Sequence, residues 1–189
     1  MTRSILKKFQ TWWSISKNPP LRSVLFVCTA NITRSPTAEA LFRKEMTSRG
    51  EDWKIASAGV KAAKGMPSHE VISYIMHSRG VPVSNHHSQP VTEKLLHSYY
   101  WIIVMETVHK EAILKIIPDL NDRLFTFREL AGNKSEDFNM PDPTGTDING
   151  FTEFFNIIDK EMPLFVKALL LKVEDALWEY EESKIDENS

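Results

Sequence analysis

The feature that most constrains this chain is a short unbroken apolar run, Ser23-Val24-Leu25-Phe26-Val27, that ends in a polar turn and leads straight into a helix-start signal. A run with no polar alternation reads as a strand buried on both faces, the condition of strands inside a parallel sheet. Pro36, directly after Ser35, marks the first turn of a helix through Ala38–Met46. The alternation then repeats. Lys54–Gly59 reads as a strand, Ser68–Arg79 as a helix stopped by Gly80, and Thr92–Ser98 as a short helix. Tyr100–Met105 reads as a buried strand, Thr107–Ile117 as a helix closed by Pro118, and Arg123–Phe127 as a further strand. Residues 128–150 read as loop, and Asn149–Glu181 as one long amphipathic helical region with an interruption at Pro163. Strands that alternate with helices imply parallel pairing, hence an α/β three-layer sandwich: a four-stranded parallel sheet with helices on both faces. In such sheets ligands bind beyond the carboxyl ends of the strands, so the turn after Val27 is the first place to look.

Composition narrows the class. The 189 residues are 42% apolar and 25% charged, normal for a globular chain able to bury a core. A net charge of −2 gives no electrostatic footprint for nucleic acid. The single cysteine excludes an intrachain disulfide and any cysteine-based zinc site, and it suits a reducing, cytoplasmic compartment. No apolar run reaches the length of a membrane span, and residues 1–20 lack the pattern of a secretory signal. The acids and histidines are not spaced as metal ligands, so neither metal nor cofactor is implied.

Three regions follow: an N-terminal extension over 1–20, a domain over 21–180 and an acidic tail over 181–189. The extension carries Arg3, Lys7, Lys8 and Lys17 with no acid, places Ile5, Leu6, Phe9, Trp12, Trp13 and Ile15 at helical spacing, and ends at Pro19-Pro20. It reads as an amphipathic helix docked on the domain or left as a tail; the alternative is a basic helix lying on an anionic membrane surface.

Residues 28–35 read Cys-Thr-Ala-Asn-Ile-Thr-Arg-Ser. Cysteine and arginine are five residues apart, between a strand and a helix N-terminus. A loop of that length can wrap a phosphate so that the backbone N–H groups of Thr29, Ala30, Asn31, Ile32 and Thr33 converge on its oxygens, helped by the helix N-terminus. Arg34 supplies a planar fork for two phosphate oxygens. The same field favours the thiolate form of Cys28, the form that attacks phosphorus. Ser35 is placed to donate a hydrogen bond to that thiolate when it leaves in a second step. A lone cysteine is ordinarily a small buried hydrophobe, and it is the strand-loop-helix setting that favours the reactive reading.

The stretch Val27–Glu39 resembles the phosphate loop of the low-molecular-weight protein tyrosine phosphatases, and Ser57-Ala58-Gly59 and Met140-Pro141-Asp142-Pro143 follow at family spacing. The resemblance covers residues 22 to about 175 and implies a flavodoxin-like phosphatase fold. It implies Cys28 as nucleophile, Arg34 as phosphate clamp and Asp142 as the general acid for a phenolate leaving group, stiffened by Pro143. It also implies that Asn31 shapes the loop, a role suited to a residue tolerant of the left-handed conformation. Ser57 and His86 match positions that hydrogen-bond the loop from behind, although His87 is an equal candidate for the second. The implied partners are phosphorylated proteins, a tyrosine kinase among them.

The chain also departs from the family. Ala30 stands where glycine is usual, which requires a negative φ there. Thr33 replaces a frequent second cysteine, so oxidised Cys28 would need an external thiol. Thr144-Gly145 and the loop Val60–Pro67 lack the aromatics that usually line a phosphotyrosine slot. A related branch resembles protein arginine phosphatases, which carry threonine where Ile32 stands; the apolar Ile32 suits an aromatic leaving group better than a guanidinium. Arsenate reductases of the same lineage need further cysteines. The expected function is therefore hydrolysis of phosphotyrosine. Phosphoarginine is the alternative substrate, and a non-catalytic phosphoprotein-binding module the second alternative.

Overall fold

The computed structural model describes residues 19–83, 85–132 and 137–187. The first eighteen residues of the amphipathic extension expected over 1–20 and the last two residues of the acidic tail lie outside them. Four strands form one sheet: β1 (Ser23–Cys28), β2 (Lys54–Gly59), β3 (Trp101–Val104) and β4 (Leu124–Thr126). Their order is β2-β1-β3-β4 and every pairing is parallel. The helices are α1 (Arg34–Ser48), α2 (Glu70–Ser78), α3 (Glu93–His97), α4 (Thr107–Ile116), α5 (Phe127–Leu130) and α6 (Ile148–Glu187). A 3-10 turn over Pro118–Arg123 leads into β4.

All six residues of β1 are buried, as the unbroken apolar run requires of a central parallel strand. Its side chains alternate between two cores. Val24, Phe26 and Cys28 join Trp101 and Ile103 under α1, α2, α5 and α6. Leu25 and Val27 join Ile102, Val104 and Leu124 under α3 and α4. This is the expected three-layer sandwich. Because β1 pairs with β2 on one side and β3 on the other, chain order reverses between β1 and β3, and a crevice opens beyond their carboxyl ends. Cys28 is the last residue of β1 and stands at that crevice.

Three local expectations are corrected. Helix α1 begins at Arg34 rather than near Ala38, so Arg34 and Ser35 occupy its first turn, where N–H groups are free. Phe127–Leu130, expected as the end of a strand at Phe127 followed by loop from residue 128, closes into a short helix because Thr126 and Glu129 form a reciprocal capping box. Pro163 does not interrupt α6, which runs on to Glu187. Pro163 and Asp159, the residue whose carbonyl loses its partner, are both exposed, so the missing bond falls on the solvent side of the helix and not in the core. Met162, Phe165, Val166 and Leu169 keep the opposite face of the helix in the core. Among the described residues no helix is long and apolar enough to cross a membrane.

Candidate active site

The loop between β1 and α1 turns on one residue. Asn31 has φ +56°, the only positive φ outside glycine among the described residues, and it is fully buried. All of its polar groups are partnered. Its N–H donates to Cys28 Sγ at 3.2 Å, and its C=O lies 2.7 Å from His86 Nε2. Its side-chain Nδ2 donates to Ser35 Oγ (2.9 Å) and Ser57 Oγ (2.8 Å), and Oδ1 accepts from the Gln89 N–H (2.9 Å). Ser57 in turn donates to Glu39 Oε2 at 2.7 Å, and Arg43 holds the other oxygen of Glu39. The loop is thus tied to β2, to α1 and to the segment before α3 by one asparagine.

Cys28 is buried, with Sγ 3.0 Å from Ser35 Oγ. Since Asn31 Nδ2 already donates to the Ser35 oxygen, the Ser35 proton is free to point at sulfur or, at 3.3 Å, at the Ala58 carbonyl. The sulfur faces an N–H and a hydroxyl and is placed to accept hydrogen bonds from both, although it sits at the rim of an apolar core. The neighbouring strand closes in as well. A Cβ on Gly59 would lie 2.6 Å from the Thr29 carbonyl oxygen and 2.9 Å from the Asn31 nitrogen, so the loop backbone packs directly on a bare Cα.

Arg34 is almost wholly buried, and its guanidinium is held from several sides. Nη2 donates to Asp142 Oδ2 at 2.6 Å and Thr29 Oγ1 at 3.2 Å; Nη1 donates to Glu106 Oε2 at 2.9 Å and the Met140 carbonyl at 3.4 Å. The ring closes through His109, whose Nε2 lies 2.9 Å from Thr29 Oγ1 and 3.2 Å from Glu106 Oε2. Burial pushes the His109 pKa down to about 4, against the opposing pull of the Glu106 carboxylate. The ring is therefore neutral at pH 7, and it gives Arg34 a hydrogen-bonded neighbour that does not repel it. Asp142 Oδ1 accepts from the Thr144 N–H at 3.0 Å, an Asx turn that aims the carboxylate at the loop.

Cys28, Arg34, Ser35, Asn31, Ser57, His86 and Asp142 thus converge on one crevice, and the choice between neighbouring histidines falls on His86. Thr29, Ala30, Ile32 and Thr33 form the rest of the loop. Ala30 keeps a φ outside the positive region, so it needs no glycine. Sequence reasoning missed Glu106, His109, Gln89 and Glu39. Glu106 and His109 had a signal: they follow β3, whose carboxyl end opens on the same crevice as that of β1.

A family model described as low molecular weight phosphotyrosine protein phosphatase matches residues 23–175. The probable low molecular weight protein-tyrosine-phosphatase AmsI of Erwinia amylovora is 30% identical over 79% of this chain and 98% of its own length. The crystal structure of a low molecular weight protein tyrosine phosphatase from T. tengcongensis superposes with a TM-score of 0.71 at 28% identity, over 77% of this chain and 97% of the other. The YwlE arginine phosphatase, solved as a cysteine-to-serine mutant with a phosphorylated active-site serine, superposes with a TM-score of 0.70 at 28% identity over 79% of this chain and 95% of its own.

Proposed function

Since the chain belongs to the low molecular weight phosphotyrosine protein phosphatase family, we propose that it hydrolyses phosphotyrosine in proteins through a cysteinyl-phosphate intermediate. The observation that carries this reading is the pair of donors facing Cys28 Sγ, the Asn31 N–H and the Ser35 hydroxyl, at the foot of a loop that ends in the buried Arg34 fork. The substrate phosphate enters the loop and takes two of the guanidinium N–H bonds, displacing Asp142 from Nη2. The Cys28 thiolate attacks phosphorus, the P–O bond to the phenol breaks, and Asp142 delivers its proton to the departing oxygen. Water then attacks the phosphocysteine, giving its proton to Asp142, and the thiolate leaves against the Ser35 hydroxyl. Phosphate and free enzyme result.

The apolar Ile32 within the loop favours an aromatic leaving group over a guanidinium. The likeness to an arginine phosphatase keeps phosphoarginine as the second reading. A binding module needs neither nucleophile nor acid, so the retention of both argues for turnover. We read the enzyme as cytoplasmic, with phosphorylated proteins, a tyrosine kinase among them, as partners.

Turnover of an aryl phosphate by wild type, Cys28→Ser and Asp142→Ala tests the scheme, with phosphoarginine peptides run alongside. Cys28→Ser is expected to be inactive, and Asp142→Ala to lose about 10²–10⁴-fold in kcat, less when the leaving group is already acidic. Undiminished turnover by Cys28→Ser refutes the mechanism; faster cleavage of phosphoarginine than phosphotyrosine reverses the substrate assignment.

A further inference from the structure

The loop that carries Asp142 is anchored at its base by groups that take no part in the bond-breaking scheme. Asn139 stands three residues before Asp142. Its Oδ1 accepts from the Thr107 N–H at 2.8 Å and from Thr107 Oγ1 at 3.2 Å, which ties it to the first residue of α4, next to Glu106. Met140 is buried; its N–H donates to the Met105 carbonyl at 2.7 Å, and its own carbonyl faces Arg34 Nη1. Pro143 is buried too, so the exposed Asp142 projects between two fixed points of the chain.

A further anchor comes from outside the crevice. Arg128 Nη1 donates to the Asn139 carbonyl at 3.2 Å. The rest of that guanidinium is taken up by Glu161 of α6: Nε lies 3.2 and 3.3 Å from its two oxygens, and Nη2 donates to Oε1 at 3.1 Å. The two side chains are 18% and 19% exposed, so salt screens this pair less than a surface one. A fork gripped in this way fixes the plane of the guanidinium, and with it the direction of the donor left over for Asn139. The mount of Arg128 is firm as well. Helix α5 has only four residues, but the Thr126–Glu129 capping box closes its start, and Phe127 and Leu130 are buried.

In the free enzyme Arg34 also holds Asp142. Substrate phosphate takes that contact away just when the proton has to be delivered. The reach of the carboxyl group is then set by its Asx turn to Thr144 and by the anchored backbone before it. A catalytic group misplaced by ~1 Å can cost about 10²-fold in rate. We propose that Arg128, braced by Glu161, is a positioning residue for Asp142, a role that rests on the reading of Asp142 as the general acid. It holds the Asn139 carbonyl so that the acid stays within reach of the leaving-group oxygen once phosphate has replaced it on Arg34. Arg128 itself touches no substrate.

The test compares kcat/KM for phenyl phosphate, whose phenolate must be protonated as it leaves, with that for dinitrophenyl phosphate, whose leaving group departs without a proton. Asp142→Ala is the reference and is expected to lose far more on phenyl phosphate. Arg128→Ala and Glu161→Ala are each expected to lose about tenfold on phenyl phosphate and less than about twofold on dinitrophenyl phosphate. Glu161 acts through Arg128, so the double variant is expected to lose no more than Arg128→Ala alone. Glu161→Gln, which keeps an acceptor oxygen, is expected to recover part of the loss. A merely structural role would depress both substrates alike. Equal losses on the two substrates, full activity in Arg128→Ala, or losses that multiply in the double variant overturn the proposal; where Asp142→Ala keeps its selective loss, the phosphatase reading survives that result. Equal losses in Asp142→Ala itself overturn the acid assignment and the proposal together. Glu161→Ala, which leaves Arg128 in place, decides the same question where Arg128→Ala does not fold.

Discussion

His109 makes stability depend on pH in a way that its ring of partners defines. The side chain is buried, faces Thr29, Glu106 and Arg34, and has a pKa lowered to about 4, burial being the largest cause. Arg34 adds to the lowering, while Glu106 and Asp142 oppose it. An unfolded histidine titrates near pKa ~6.5. Between those values the unfolded chain binds a proton that the folded chain refuses, so folding stability rises with pH across the window and falls as the solution is acidified. The contribution is fully present above pH ~7, about 2 kcal/mol of it is gone at pH ~5, and the loss levels off near about 3 kcal/mol below pH ~4.

The measurement is urea unfolding at pH 7.5, 6 and 5 of wild type and His109→Asn, whose side chain does not titrate. Absolute stabilities will differ because Asn packs differently, but the informative quantity is the change with pH. Wild type is expected to lose about 2 kcal/mol more than the variant between pH ~7.5 and ~5, every other titrating group being common to both. Parallel curves would mean that the ring takes up its proton in the folded protein over the same pH range as in the unfolded chain. That would refute the claim that burial lowers the His109 pKa and keeps Arg34 beside a neutral ring down to pH ~5.

Two further outcomes follow from the same crevice. Glu106→Ala leaves Arg34 Nη1 with only the long bond to Met140 and is expected to lower kcat/KM for an aryl phosphate about tenfold; Glu106→Gln keeps an acceptor oxygen and should recover most of it, a rescue that simple loss of packing would not show. Gly59→Ala drives a methyl group into the Thr29 carbonyl and Asn31 nitrogen, so urea unfolding should show a loss of about 1–3 kcal/mol, with turnover falling in the protein that remains folded.

How legible each part was depended on how local its cause is. The β1 run announced a central parallel strand because burial on both faces leaves a mark in consecutive residues. The helix start after Cys28 was visible in Pro36 for the same reason, although Arg34 begins the helix earlier than that proline suggests. The span of α6 through Pro163 was not legible, since the contacts that hold it, such as those of Phe165 with Phe26, Phe42 and Phe127, come from elements far away in sequence. Glu106 and His109 were hidden differently. An acid and a histidine three apart at the start of a helix look like a solvated face, and only the β1–β3 pairing brings them beneath Arg34. Gln89 left no signal, because what anchors the loop is its backbone N–H, which every residue but proline possesses.

The departures at positions 30 and 31 have one explanation. A loop that reverses from a strand into a helix over so few residues needs a left-handed turn somewhere, and here Asn31 supplies all of it. With the turn concentrated there, Ala30 keeps an ordinary φ and tolerates its methyl group. Glycine at 31 would adopt the same φ at less cost, yet it would leave the Gln89 N–H without its acceptor, at about 1–3 kcal/mol, and would take from the Ser35 and Ser57 oxygens the donor they share. Asparagine is thus retained for its amide, and its strain is offset by the bonds that amide makes. The same compactness dictates Gly59: a loop drawn tight enough for the Asn31 N–H to reach Cys28 Sγ passes at contact distance over β2, where no side chain fits.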